Sequence, residues 1–121
     1  MPATLQAELK RLAQPDETRT FANGKVDVVN IGGGTVGLAT FQPGWKWSND
    51  VKPIAGTDLC MAHHILYQIS GRMKVVMSDG REFESGPGDV AVIPPGHDSW
   101  VVGNEPVVAV DWGGAANYAK R

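Results

Sequence analysis

The sequence predicts an all-β domain of many short strands, and three observations carry that prediction. Its 121 residues include 15 glycines and 8 prolines alongside 42% apolar residues. Glycine tolerates positive φ and proline fixes φ, so this composition favours frequent chain reversal over long helices. From about residue 23 onward, apolar segments of four to eight residues alternate with turn signals, the spacing of a sandwich or barrel. Met73, Val75 and Met77 also alternate with Arg72, Lys74 and Val76, as a strand with one buried face requires.

The length fits a single domain. With 11 basic against 13 acidic residues, the electrostatic footprint of a nucleic-acid binder is missing. The longest apolar runs, such as Val90–Ile93 and Val107–Val110, fall far short of the roughly 20 residues of a membrane-spanning helix. No basic start followed by an apolar stretch marks a secretory signal, and the lone Cys60 has no disulfide partner within the chain. A cytoplasmic protein with a small-molecule partner, bound to neither nucleic acid nor membrane, is the expectation.

In chain order, Leu5, Leu9 and Leu12 recur at helical spacing between Thr4, a possible N-cap, and Pro15, predicting a short amphipathic helix. Residues 1–22 read as this helix and its lead-in, and 23–121 as the β-barrel domain. Strands are expected near 25–31, 35–42, 45–49, 59–69, 72–78, 81–84, 89–93, 99–103 and 107–112. Gly32-Gly33-Gly34 reads as a tight reversal, and Asp79-Gly80 as the centre of a type I′ hairpin turn.

Two blocks then carry a resemblance. Tyr67-Gln68-Ile69-Ser70-Gly71-Arg72-Met73 looks like a strand ending at a glycine before the next begins. Gly86-Pro87-Gly88-Asp89-Val90, followed by Ile93-Pro94-Pro95-Gly96, matches a Pro-Gly-Asp then Pro-x-Gly signature. Together they resemble the cupin superfamily, which implies a double-stranded β-helix, or jelly-roll, barrel. His97-Asp98-Ser99-Trp100, with Trp45-Lys46-Trp47-Ser48 and Val51-Lys52-Pro53, resembles a subgroup of small bacterial cupins without a settled activity. The resemblance also implies a homodimer, with the N-terminal helix or first strand as the contact.

The metal motif of the family is altered in this chain. Where the resemblance implies paired histidines, one alignment places Asp58 and Cys60 and the other Asp50 and Lys52. His64 stands at the glutamate position, and Ser99 at that of the last histidine, with His97 two residues earlier. In a regular strand, Cys60, His64 and Gln68 share one face by the two-residue period, which the family register makes the barrel interior, while His63 points away. Cys60, His64 and His97 are therefore the candidate metal ligands. A thiolate with imidazoles favours zinc over iron, nickel or manganese. The plainer alternative is a buried cysteine acting as a small hydrophobe, with both histidines satisfied by hydrogen bonds.

Trp47, Tyr67, Gln68, Ser99 and Trp100 are candidates to line a ligand pocket, and His97 is the candidate catalytic base. Cys60 acting as a nucleophile with His64 as its base is disfavoured, because four residues of extended strand separate the Cα atoms by about 13 Å. Three functions stay open: a cupin holding a small organic molecule in its barrel, a metal-dependent oxygenase, isomerase or lyase, and a non-catalytic sensor or interaction module.

Overall fold

The computed structural model describes residues 6–120. Nine strands follow in order: β1 (Glu17–Phe21), β2 (Gly24–Ile31), β3 (Gly34–Phe41), β4 (His64–Ser70), β5 (Arg72–Met77), β6 (Glu82–Ser85), β7 (Val90–Ile93), β8 (His97–Val102) and β9 (Val107–Trp112). Between β3 and β4 lie two single-turn helices, α1 (Trp47–Asp50) and α2 (Lys52–Ala55), and a 3-10 turn (Gly114–Ala116) follows β9. The strands form a six-stranded sheet in the order β1-β2-β3-β9-β4-β7 and a three-stranded sheet in the order β6-β5-β8. Every pairing is antiparallel. This is the all-β jelly-roll barrel predicted from the sequence.

The core lies between the sheets, where inward side chains alternate with outward ones. Met73 and Val75 of β5, Val107 and Ala109 of β9 and Val26 and Val28 of β2 are all buried there, with Trp45 and Trp47 closing one side. Gly71, between β4 and β5, has φ 75°, and a Cβ would collide with the carbonyl oxygen of Pro106. Both facts demand glycine at the point where the chain passes from one sheet to the other.

Four local expectations need correction. Among the described residues no N-terminal helix forms: residues 6–16 carry no helical turn, while Thr4 and Leu5 lie outside the described residues. Leu9 is 76% exposed, so no apolar surface offsets the nucleation cost of so short a helix. Polar contacts pin the segment beside β2 instead, Asp16 Oδ2 accepting from Asn30 N at 2.8 Å and Glu8 Oε1 from Gly32 N at 3.1 Å. β1 then joins the sheet by pairing with β2, so the lead-in becomes barrel wall.

Residues 45–49 are not a strand. Asp50 Oδ2 accepts from the Lys46 N–H at 2.9 Å and Val51 N donates to Trp47 O at 3.0 Å, which closes α1, and Pro53 lies in the first turn of α2. Strand β4 begins at His64 rather than near 59, with Cys60 held in an isolated bridge to His97. In the β5–β6 loop only Gly80 has positive φ, and its N–H donates to Met77 O at 3.0 Å, so the turn is wider than type I′.

Candidate metal centre

Cys60, His64 and His97 each offer a donor atom, and these atoms lie within 4.8 Å of one another. All three residues are buried. His64 reaches the centre from the start of β4, His97 from the start of β8. Cys60 is held by backbone hydrogen bonds, its N–H donating to His97 O at 2.8 Å while its carbonyl accepts from Gly96 N at 2.8 Å. Residues 61–63 belong to no strand, and Cys60 Sγ comes within 3.7 Å of His64 Nε2. The 13 Å separation expected of a continuous strand is thereby overturned.

Each imidazole has one nitrogen committed. His64 Nδ1 donates to Asp111 Oδ2 at 2.5 Å, and His97 Nδ1 donates to the Pro94 carbonyl at 2.8 Å. These bonds commit both Nδ1 atoms, the arrangement that outer partners impose on metal-binding histidines, and leave the Nε2 of His64 to meet Cys60 Sγ. The two rings meet edge to face, centroids 5.3 Å apart. Burial pushes the Cys60 thiol up, but hydrogen bonds and charge from His64 and His97 outweigh it and hold the group at about 6. Burial pushes His64 down, and the Asp111 and Cys60 contacts reverse this, raising it to about 9. The centre is thus built to keep sulfur as thiolate.

Beside the centre lies an inner cavity of about 40 Å³, lined by His64, His97 and Asp111 with largely apolar walls. It has room for roughly three water-sized atoms. Trp45 Nε1, Trp47 Nε1 and Asp111 Oδ1 are the buried side-chain polar atoms among the described residues without a hydrogen-bond partner, and all three residues line this cavity. An outer groove of about 640 Å³ reaches Cys60 from the other side, and Trp47 and Tyr118 border both spaces.

The C-terminal segment closes the mouth. The Arg19 guanidinium donates to the carbonyls of Ala115 at 2.6 Å, Tyr118 at 2.9 Å and Ala116 at 3.2 Å, while Glu17 holds it from behind. The Tyr118 ring thereby lies 5.6 Å from that of His64, edge to face. Gly114 rests on the pair behind the centre, where a Cβ would come 2.5 Å from His64 Nδ1 and 2.6 Å from Asp111 Oδ2.

Of the pocket residues expected from sequence, Trp47 and Ser99 line the inner cavity. Tyr67 lies on the outer sheet face, 40% exposed. Gln68 is buried outside the cavity, donating to Gly71 O at 2.8 Å and accepting from Ser85 Oγ at 2.5 Å. Trp100 is half-buried beneath the Lys46 ammonium, 5.2 Å from its ring centre. Asp58 is exposed and paired with Lys52, and Asp50 caps α1, so neither alignment brings an acid into the centre. Asp98 accepts from Ser48 N and Ser99 N rather than pairing with His97, and His63 is exposed. Sequence reasoning missed Asp111, Trp45, Arg19, Gly114 and Tyr118. Only Asp111 left a signal, a charge at an inward position of the alternating strand Val107–Trp112.

Comparisons agree with this architecture. The model of the AraC-like ligand binding domain family matches residues 57–107. A structural-genomics protein of unknown function from Rhizobium leguminosarum superposes with a TM-score of 0.64 at 18% identity, covering 89% of this chain and 96% of that one. A cupin-like protein from Thermotoga maritima gives 0.55 at 17% identity, covering 80% and 73%. Oxalate decarboxylase from Bacillus subtilis, in a structure concerned with its Mn(II) centres, gives 0.57 at 29% identity over 88% of this chain. The chain has the cupin fold. This cupin spans only 29% of the decarboxylase's length. No curated protein sequence matches it. No helix among the described residues is long and apolar enough to cross a membrane.

Proposed function

We propose that this cupin binds a divalent metal ion on Cys60, His64 and His97 and presents it to a small ligand. One observation carries the reading: both imidazoles are tied at Nδ1, leaving their Nε2 atoms beside a buried thiolate. The 3.7 Å between Cys60 Sγ and His64 Nε2 is close to the roughly 3.5 Å between sulfur and nitrogen ligands of a tetrahedral zinc ion. Thiolate and imidazole donors favour zinc over iron, nickel or manganese. Three protein ligands leave a position open, and a bound ion there would act as a Lewis acid. Asp111 orients His64, while Trp47 and Tyr118 separate the centre from bulk water.

A ligand of more than about three atoms exceeds the inner cavity and would approach from the outer groove, whose volume falls in the usual small-molecule range. A metal-dependent enzyme uses the open position for chemistry; a sensor uses it for binding alone. The family match to a ligand-binding domain favours the sensor as the second reading. A reduced Cys60 supports the cytoplasm as its location.

Self-association belongs to the same proposal. Ile65, Tyr67, Val90 and Val92 are exposed on one sheet face, and Ile65 pairs with Val92 and Tyr67 with Val90 across β4 and β7. Strand β7 is a sheet edge, so a second copy of the chain could pair with it about a two-fold axis and cover these residues.

Elemental analysis of protein purified without a metal-affinity tag tests the metal. About one ion per chain is expected in the parent, and marked depletion in Cys60→Ala and His64→Ala. A parent that takes up no zinc, nickel, iron or manganese overturns the reading.

A further inference from the structure

We propose that the inner cavity binds a small oxyanion of three or four heavy atoms through the indole N–H groups of Trp45 and Trp47. Both residues are 1% exposed, both line the cavity, and neither Nε1 has a partner within the protein. Leaving a buried donor unpaired is costly, so two on one cavity mark a place where acceptors are expected. Among the described residues one other buried side-chain N or O atom lacks a partner, Asp111 Oδ1, whereas Gln68 and Ser85 are matched to each other.

The cavity sets the ligand's size and type. At about 40 Å³, with Phe41, Met73 and Ile93 among its walls, it admits a planar group of the dimensions of formate or hydrogencarbonate. Two oxygens on one carbon can accept from two N–H donors. Asp111 Oδ1, the third unpaired atom, is an acceptor, so an oxyanion that keeps one O–H satisfies it as well. No lysine or arginine lines the cavity. The site therefore rests on the metal-centre reading, because the ion would supply the positive charge that opposes Asp111.

Indole N–H signals report the site directly. In ¹⁵N-labelled protein the four tryptophans give four indole resonances, with those of Trp45 and Trp47 assigned from Trp45→Phe and Trp47→Phe. Sodium formate is titrated into metal-free and zinc-loaded protein, with sodium chloride as the ionic-strength control. The Trp45 and Trp47 signals of zinc-loaded protein should move saturably with formate, while those of Trp100 and Trp112 stay. Each Phe variant should retain its zinc and bind formate roughly 3–10-fold more weakly, the loss of one hydrogen bond. Zinc-loaded protein whose Trp45 and Trp47 signals ignore formate, or follow chloride equally, overturns the oxyanion site while leaving the metal centre standing. If the chain takes up no zinc, the metal-centre reading fails on its own. The metal-free titration then decides the oxyanion site by the same two signals.

Discussion

Asp111 on β9 holds His64 on β4 through a 2.5 Å hydrogen bond to Nδ1, turning the Nε2 of that ring toward Cys60. The carboxylate touches no ligand position itself; it positions the imidazole. Asp111→Asn should weaken zinc binding about 10–100-fold, the usual cost of losing an outer partner. Equilibrium dialysis against a competing chelator measures this. Unchanged affinity would remove Asp111 from that role.

The metal-free protein has an unusual pH response. The Cys60 value lies below that of an unfolded cysteine, so its stabilisation is complete above about 8.5 and is lost as pH falls through about 6. The His64 value lies above that of an unfolded histidine, so its stabilisation is complete below about 6.5 and is lost as pH rises through about 9. Between these limits the two slopes oppose each other. Thermal melts of the metal-free parent should change little from these groups between about pH 6.5 and 8.5. Cys60→Ser keeps only the His64 slope and should lose stability as pH rises through that window. A parent falling as steeply as the variant would contradict the pairing.

Gly114 packs against both members of the His64–Asp111 pair. Gly114→Ala should displace the imidazole and cost about 1–3 kcal/mol, the range for overpacking a tight site. Denaturant melts and zinc titration together check this. An alanine variant with parental stability and affinity would show that the segment yields freely.

Arg19 ties the C-terminal segment to β1 through three carbonyl oxygens. Arg19→Ala should release Tyr118 and lower stability by about 2–3 kcal/mol. Metal-free variant protein should then react with a thiol reagent at Cys60 at least about tenfold faster than the parent, since an opening made about 1.4 kcal/mol easier is ten times more populated. Parental reactivity would mean that another segment guards the thiol.

The apolar row on β4 and β7 predicts a dimer. Light scattering should give twice the chain mass for the parent and a monomer for Val92→Lys, whose side chain is 58% exposed and free to carry charge in the single chain. A monomeric parent removes the interface.

What the sequence disclosed was mostly local. Gly71 and Pro94-Pro95-Gly96 fix turns through their own backbones, so the barrel was readable from them. Trp45-Lys46-Trp47 alternates as a strand would, but a carboxylate four residues on captures the Lys46 N–H and winds the chain into α1. Period two puts Tyr67 and Gln68 on opposite faces, so they could not both enter one pocket. The break in the strand at 61–63, between Cys60 and His64, leaves no mark in hydrophobic pattern. Arg19 meets carbonyls 96 to 99 residues away, a relationship that no local window contains.

The bridge between Cys60 and His97 bears on the order of assembly. Its partners lie 37 residues apart, and the His64–Asp111 contact spans 47. Cys60 and His64 are near in sequence, but neither His97 nor the Asp111 support can join them early, because loop closure must come first. Metal would then meet a finished cage rather than seed one. Zinc should accordingly lengthen the lifetime of the native state by slowing its unfolding, while the rate at which the chain reaches that state stays nearly the same.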